Sequence, residues 1–457
     1  MLGSKKINIV SSLLLVTLAA IMGGCSKYLD AAPNKSYVIP STLKDFQALL
    51  DNYNILNNVD MSVGEISADN YYLNYADWAA LSDEGQRRMY TWEKDYFFQF
   101  NAGDWRRPYA AVYYANTVLD NIDNVDRNAA NAMQWDNVLG QALFVRAKTY
   151  CQLTAAFTKA YNPVTAPTDM GIPLRTNSDF NIVAVRSSLA ETYNTIIADL
   201  KTSAALLPVT PVHVMRPCKT AAYALLARTY LNIGNYDSSL RYADLCLQLK
   251  SNLLDFNTLT ASATYPIPQF NAEVIYESFM PTPAPLNNSR AKIDSALYQS
   301  FASNDLRKTV FFKDNGNGSV GFKGSYEGGT APFSGIAVDE VLLIRAESSA
   351  RKNDKTNALN DLNTLLIKRY KTGLFAPVTA IDANDALDKI LVERRKELLM
   401  RGLRWPDLKR LNFEGRNITI KRVLNQVTYT LPPNDLRYAL PIPEDVIKLS
   451  NIQQNPR

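Results

Sequence analysis

The sequence predicts an all-α fold: a superhelix of paired helices with a loop-rich half packed on it, in a single domain. Three observations lead there. Three separate segments repeat one helical spacing of large and small residues. A long amphipathic stretch near the C-terminus continues the helical pattern. Between the helices lie long Pro-, Asn- and Gly-rich stretches, none of which reads as a linker between two independent cores.

The chain opens on a targeting signal. Lys5 and Lys6 precede a mostly apolar run, Ile7 to Ile21, which is too short for a comfortable membrane span. Met22-Gly23-Gly24-Cys25 follows, small residues directly before a cysteine, and resembles a bacterial lipobox. Residues 1–24 therefore read as a lipoprotein signal peptide, with Cys25 as the lipidated residue. Cleavage removes Lys5 and Lys6 and lowers the formal charge from +5 to +3. A lipid on Cys25 would hold the protein on a membrane with its body in water. The remaining cysteines, Cys151, Cys218 and Cys246, form no CxxC pair. Cys151 and Cys246 sit in apolar helical contexts and read as small core residues.

Residues 66–92, ISADNYYLNYADWAALSDEGQRRMYTW, concentrate aromatic rings among amide and charged groups. Such rings present a flat apolar face with a polar edge, which suits the apolar C–H faces of sugars. Tyr71, Tyr72, Tyr75 and Trp78 are the candidate platforms. Asn74, Asp77 and Arg87 are the candidate hydrogen-bonding groups, with Asn70 and Arg88 nearby. Trp92 and Trp105 read as core. The glycine-rich loop 314–335 adds Tyr326, with Phe322 beside it.

The repeats come next. Tyr223, Leu226, Ala227 and Tyr230 share one helix face, and Gly234-Asn235 then mark a turn before Leu240, Ala243 and Leu247. This resembles a tetratricopeptide repeat, a helix hairpin that must stack on its neighbours. Leu143, Arg146, Ala147 and Tyr150 stand at the same offsets, as do Leu342, Arg345, Ala346 and Ser349. A further helix is expected from Trp105 to Ile122, paired with the one around 137–157. Helical repeats thus fall around 105–157, 217–250 and 337–370, ahead of a C-terminal segment, 385–457. There, Leu391, Leu398 and Trp405 recur every seven positions, with Leu408 and Leu411 on the same face. Glu397 stands four before Arg401, a favourable helical pair, and Gly402 reads as a left-handed stop.

The segment ERRKELLMRGLRWPDLKRL resembles the ERRxEL…G.RW.DLkR signature of the SusD/RagB family of nutrient-binding outer-membrane lipoproteins. Arg401 departs from it, standing where the family usually carries an acidic residue. WRRPYAAVYYANTVL, GQALFVRAKTY, AAYALLARTYL and DEVLLIRAE resemble four more of its helices, in the family's order, and residues 25–457 read as one SusD/RagB-like domain. The resemblance implies a cell-surface lipoprotein on the outer membrane. It would bind an oligosaccharide or polysaccharide and deliver it to a TonB-dependent SusC-like transporter. A peptide ligand, or a transporter-docking scaffold without a small ligand, stays open beside it.

Composition bounds the rest. With 47% hydrophobic and 20% charged residues, a mature chain of roughly 430 residues can bury a large core. The near-balanced charge, without Lys/Arg runs, argues against a nucleic-acid partner. One histidine, His213, supports neither a zinc site nor a His-rich triad. No Walker loop, GxSxG, HExxH or GxGxxG occurs, so the chain reads as a binder without catalysis. No cofactor is expected, and calcium stays open.

Overall fold

A computed structural model describes residues 40–94 and 103–457. The expected signal peptide and Cys25 lie outside the described residues. Within Thr42–Arg457, one compact unit, the first helix is α1 (Leu43–Leu50), opened by a Thr42/Asp45 capping box. Short helices α2 (Val63–Ser67), α3 (Tyr75–Ala79) and α4 (Glu84–Tyr90) follow.

A serial stack then begins. Helix α5 (Gly103–Asn121) packs on α6 (Ala132–Phe157), α6 on α7 (Leu189–Leu206), and α7 on α8 (Lys219–Asn232). The series continues through α9 (Tyr236–Leu249), α10 (Val338–Arg351), α11 (Lys355–Leu366) and α12 (Ala383–Glu397). This is the expected superhelix, and its spacing works as the repeats imply. Ala147, Ala227 and Ala346 are fully buried, which lets neighbouring helices approach. Arg146 and Arg345, at matched offsets, each make a two-pronged ion pair to the next helix, with Asp199 on α7 and Asp361 on α11.

The sequence reading missed α7 altogether. Its cap was legible, since the Ser188 side chain accepts from Glu191 N while Glu191 answers to Ser188 N. Among the described residues there are five two-stranded antiparallel sheets. Met170–Pro173 pairs with Arg186–Ser188, Val274–Tyr276 with Ile336–Ala337, and Phe312–Asp314 with Val320–Phe322. The turn of that last hairpin needs Gly316 and Gly318, whose φ angles are +75° and +79°. Phe322 is buried rather than presented to solvent.

The C-terminal signature forms α12, a break, and α13 (Arg404–Phe413). Leu398, Trp405, Leu408 and Leu411 are buried, as the seven-residue spacing implies, whereas Leu391 is half-buried. The expected Glu397–Arg401 helical pair does not form, because α12 ends at Glu397. Glu397 instead accepts from Arg307 and Arg369, and Arg401 donates to Asp339 at 2.5 Å. Gly402 does adopt a left-handed φ of +73°, but beyond the helix end. Most charged side chains of this signature are buried in ion pairs. Arg394 and Arg410 share Asp407, and Arg410 also reaches Glu347. Burial raises the Glu347 carboxyl, yet Arg410 and Arg351 prevail and hold it at about 2. Cys218 and Cys246 are buried and Cys151 half-buried, all three as free thiols.

Candidate functional site

The loop 66–92 is fixed from below by the signature. Arg404 grips the Asp69 carboxylate with two nitrogens, at 2.7 and 2.9 Å, and Arg395 donates to the Asp69 carbonyl at 2.7 Å. Burial raises the Asp69 carboxyl, but Arg404 and Arg395 outweigh it and hold the group well below the usual range. Glu65 accepts from Gly402 N and from Asn70 Nδ2, which takes Asn70 into the interior.

Above this base, Tyr71–Tyr72 pairs antiparallel with Lys292–Ile293, Tyr71 opposite Ile293 and Tyr72 opposite Lys292. Strand alternation then separates the two tyrosines. Tyr71 turns inward, is 2% exposed, and donates its hydroxyl to Ile66 O at 3.0 Å. It is a core residue, not a platform. Tyr72 is half-buried on the other side.

Two residues past the strand, Asn74 caps α3, its Oδ1 accepting from Asp77 N at 2.8 Å. Tyr75 and Trp78, three apart on this helix, fall on one side. Their ring centroids are 5.9 Å apart with 35° between planes. Tyr75 is 49% exposed. Trp78 is half-buried and donates Nε1 to Arg87 O at 3.1 Å, which fixes the ring by its polar edge. Arg87 in turn donates to Leu81 O, so its guanidinium closes the turn between α3 and α4. Arg88 pairs with Glu84 on the same helix. Asp77 pairs with Lys292, and Lys292 also donates to Arg290 O at 2.9 Å.

Of the predicted group, Tyr72, Asn74, Tyr75, Asp77 and Trp78 thus come together on one short stretch. Tyr326 does not join them. It is 3% exposed and donates to Glu273 Oε2 at 2.9 Å inside the ion network. Tyr326 was expected as a second-rank candidate on this loop, but the loop turns its ring inward. Trp92 and Trp105 are buried as expected. Lys292 was missed, because a two-residue ladder joining segments far apart in sequence leaves no periodic signal.

A cavity of about 350 Å³ adjoins α4, with Gln86, Asp104 and Trp105 in its wall. Its one indole is packed against Phe157 and Tyr109, which leaves no free ring face comparable with Tyr75. Among the described residues, no group of three or more His, Cys, Asp or Glu side chains is placed to hold a metal ion. No described helix is long and apolar enough to cross a membrane.

Two family models match the chain in order along its length. One, described as starch-binding associating with outer membrane, matches residues 27–231. The other, described as SusD family, matches residues 295–457. The chain belongs to the SusD/RagB family. Among its relatives, SusD-like protein P2 of Formosa agariphila is 24% identical over 419 residues, 77% of this chain and 79% of that protein. A SusD superfamily protein from Bacteroides thetaiotaomicron shares the fold with a TM-score of 0.74 at 22% identity, over 91% of this chain and 100% of the other. A SusD-like carbohydrate binding protein from Bacteroides vulgatus aligns with a TM-score of 0.67 at 20% identity, over 90% and 97%.

Proposed function

We propose that this SusD/RagB protein captures an oligosaccharide or polysaccharide at the outer face of an outer membrane and passes it to a TonB-dependent SusC-like transporter. The observation that carries the reading is the Tyr75–Trp78 pair, with Tyr75 exposed, on a loop anchored by the family signature. Tyr75 would stack on a pyranose face, with Trp78 extending the surface. Asn74 and the Asp77–Lys292 pair would meet hydroxyls at its edge. Tyr72 borders the same edge. The starch-binding and outer-membrane description of the matching family model supports both ligand class and place.

The mechanism needs no bond to be made or broken. A lipid on Cys25 would tether the binder and raise ligand concentration near the transporter mouth. Modest affinity then suffices, provided release is fast. The helical-repeat surface offers the extended face that protein partners use.

Calorimetric titration of the soluble chain from Ser26 tests this, against panels of polysaccharides, oligosaccharides and peptides. Binding of one glycan class is expected. Trp78→Ala should weaken it about tenfold while the fold survives. Binding of peptides alone, or silence from a folded protein, would overturn the glycan reading. Gentle detergent extraction of the native protein should co-purify a large barrel protein. Recovery alone would remove the transporter from the proposal.

A further inference from the structure

The loop 66–92 is held at a second place, by a side chain from outside the signature. Strand Ile420–Leu424 pairs with Val427–Leu431 in a hairpin. Along it Ile420, Arg422 and Leu424 are buried, while Lys421 and Val423 are exposed. An arginine thus stands at an inward position where the alternation calls for an apolar residue, and it is 3% exposed. Burying a guanidinium is costly unless its donors are met. Arg307, Arg369, Arg404 and Arg410 meet theirs with carboxylates. Arg422 meets its own with three backbone carbonyls. Its Nη2 donates to Ile66 O at 2.9 Å and to Ala68 O at 2.5 Å, and its Nη1 to Tyr90 O. These carbonyls lie at the two ends of the loop, 332 to 356 residues away in the chain.

The two ends meet around this group. The Arg422 Cζ lies 3.8 Å from the ring centroid of Tyr90, 4.6 Å from that of Trp92 and 5.4 Å from that of Tyr71, all within cation–π range. Trp92 takes a left-handed φ of +53° and donates its indole N–H to Ser67 O at 2.9 Å. The Tyr90 hydroxyl accepts from Leu73 N at 2.7 Å. Arg404 and Arg395 reach the loop at Asp69, near its start. Arg422 closes that start on the end, and Tyr75 and Trp78 stand in between.

We infer that Arg422 is the positioning residue of the Tyr75–Trp78 pair, acting through the backbone of the loop and not through contact with a sugar. The inference rests on the reading of that pair as the glycan surface. A guanidinium suits the task because its donors diverge in one rigid plane, so that a single group serves both ends of a loop. A loop closed in advance has less freedom to lose when a ligand arrives, and this raises affinity without adding a contact.

The test compares the soluble chain from Ser26 with Arg422→Lys and Arg422→Met. Lysine keeps the charge and loses the fork, and methionine loses both while keeping an unbranched apolar stem. The two readouts are hydrogen exchange and calorimetric titration against the polysaccharide and oligosaccharide panel. In each variant, amides of 66–92 should exchange about tenfold faster while those of α8, α9 and α10 keep their rates. Glycan affinity should fall about tenfold with Tyr75 and Trp78 both in place. A merely structural role would lower thermal stability and leave the affinity of the folded protein alone. Unchanged exchange at 66–92, faster exchange throughout the chain, or unchanged affinity in a loosened variant would each overturn the inference. If the methionine variant fails to fold, the lysine variant carries both readouts. If no glycan of the panel binds the unmodified chain, the glycan reading falls, and exchange at 66–92 alone decides whether Arg422 holds the loop.

Discussion

The signature around Glu393–Arg410 and the ledge at Tyr75–Trp78 use the same kinds of side chain for opposite ends. In the signature, Arg, Glu and Asp are withdrawn from water and consumed by one another. Arg307 is fully buried and contacts Asp305, Glu393 and Glu397. Arg369 bridges Glu397 to Glu273. On the ledge, Tyr75 keeps half its surface in water, and the polar groups beside it serve only short-range duties. A densely charged motif is thus a frame here, and the sparser aromatic pair is where a ligand can be met. Asp69, gripped by Arg404 and Arg395, joins the two regions.

The sharpest way to break this contrast is Arg307→Ala. Removing it leaves Asp305, Glu393 and Glu397 facing one another without their shared cation. The expected loss is about 3–5 kcal/mol in urea unfolding. A loss under about 1 kcal/mol would mean that the network is not the frame. The next effect is a pH dependence from Glu277, which is fully buried. Burial pushes its carboxyl from the ordinary 4.5 up to about 8, and Glu327 adds to the rise, against opposition from Gln269 and Arg401. The folded state thus holds a proton that the unfolded state releases. The associated stability is present in full below about pH 4.5 and is lost as pH rises through about 8. Glu277→Gln should flatten that slope and stabilise the protein at pH 8 by about 3 kcal/mol. An unchanged slope in the variant would assign the pH dependence elsewhere. The smallest effect sharpens the boundary between the regions. Tyr326→Phe should cost about 1–2 kcal/mol of stability through its lost bond to Glu273, with glycan affinity unchanged. Weakened binding from a folded variant would return Tyr326 to the site.

The helical stack was legible because buried alanines and large partners recur at fixed offsets, and a helix converts that spacing into a face. The limits of legibility are equally physical. Helix α7 carried its start in the Ser188/Glu191 pair, but its apolar face matches none of the repeats. The Glu397–Arg401 spacing looked helical only because the helix end at Glu397 has no Gly or Pro beside it to mark it. Strands of two to five residues are too short for alternation to register. In the site, composition found the right segment but could not separate Tyr71 from Tyr72. That choice depends on the register with Lys292–Ile293, which is a long-range fact.

One bond of the signature bears on how the protein is made. Lys409 donates to the carbonyls of Ala155 and Thr158, at the end of α6, across 254 and 251 residues of chain. Open repeat arrays can grow or fray from either end, one unit at a time. Here the last turn of an early helix is finished by a side chain from near the C-terminus, and Arg410 ties the same segment to α10 through Glu347. Helix α6 must therefore wait with its final carbonyls unclaimed until almost the whole polypeptide is available to fold, and the stack closes late.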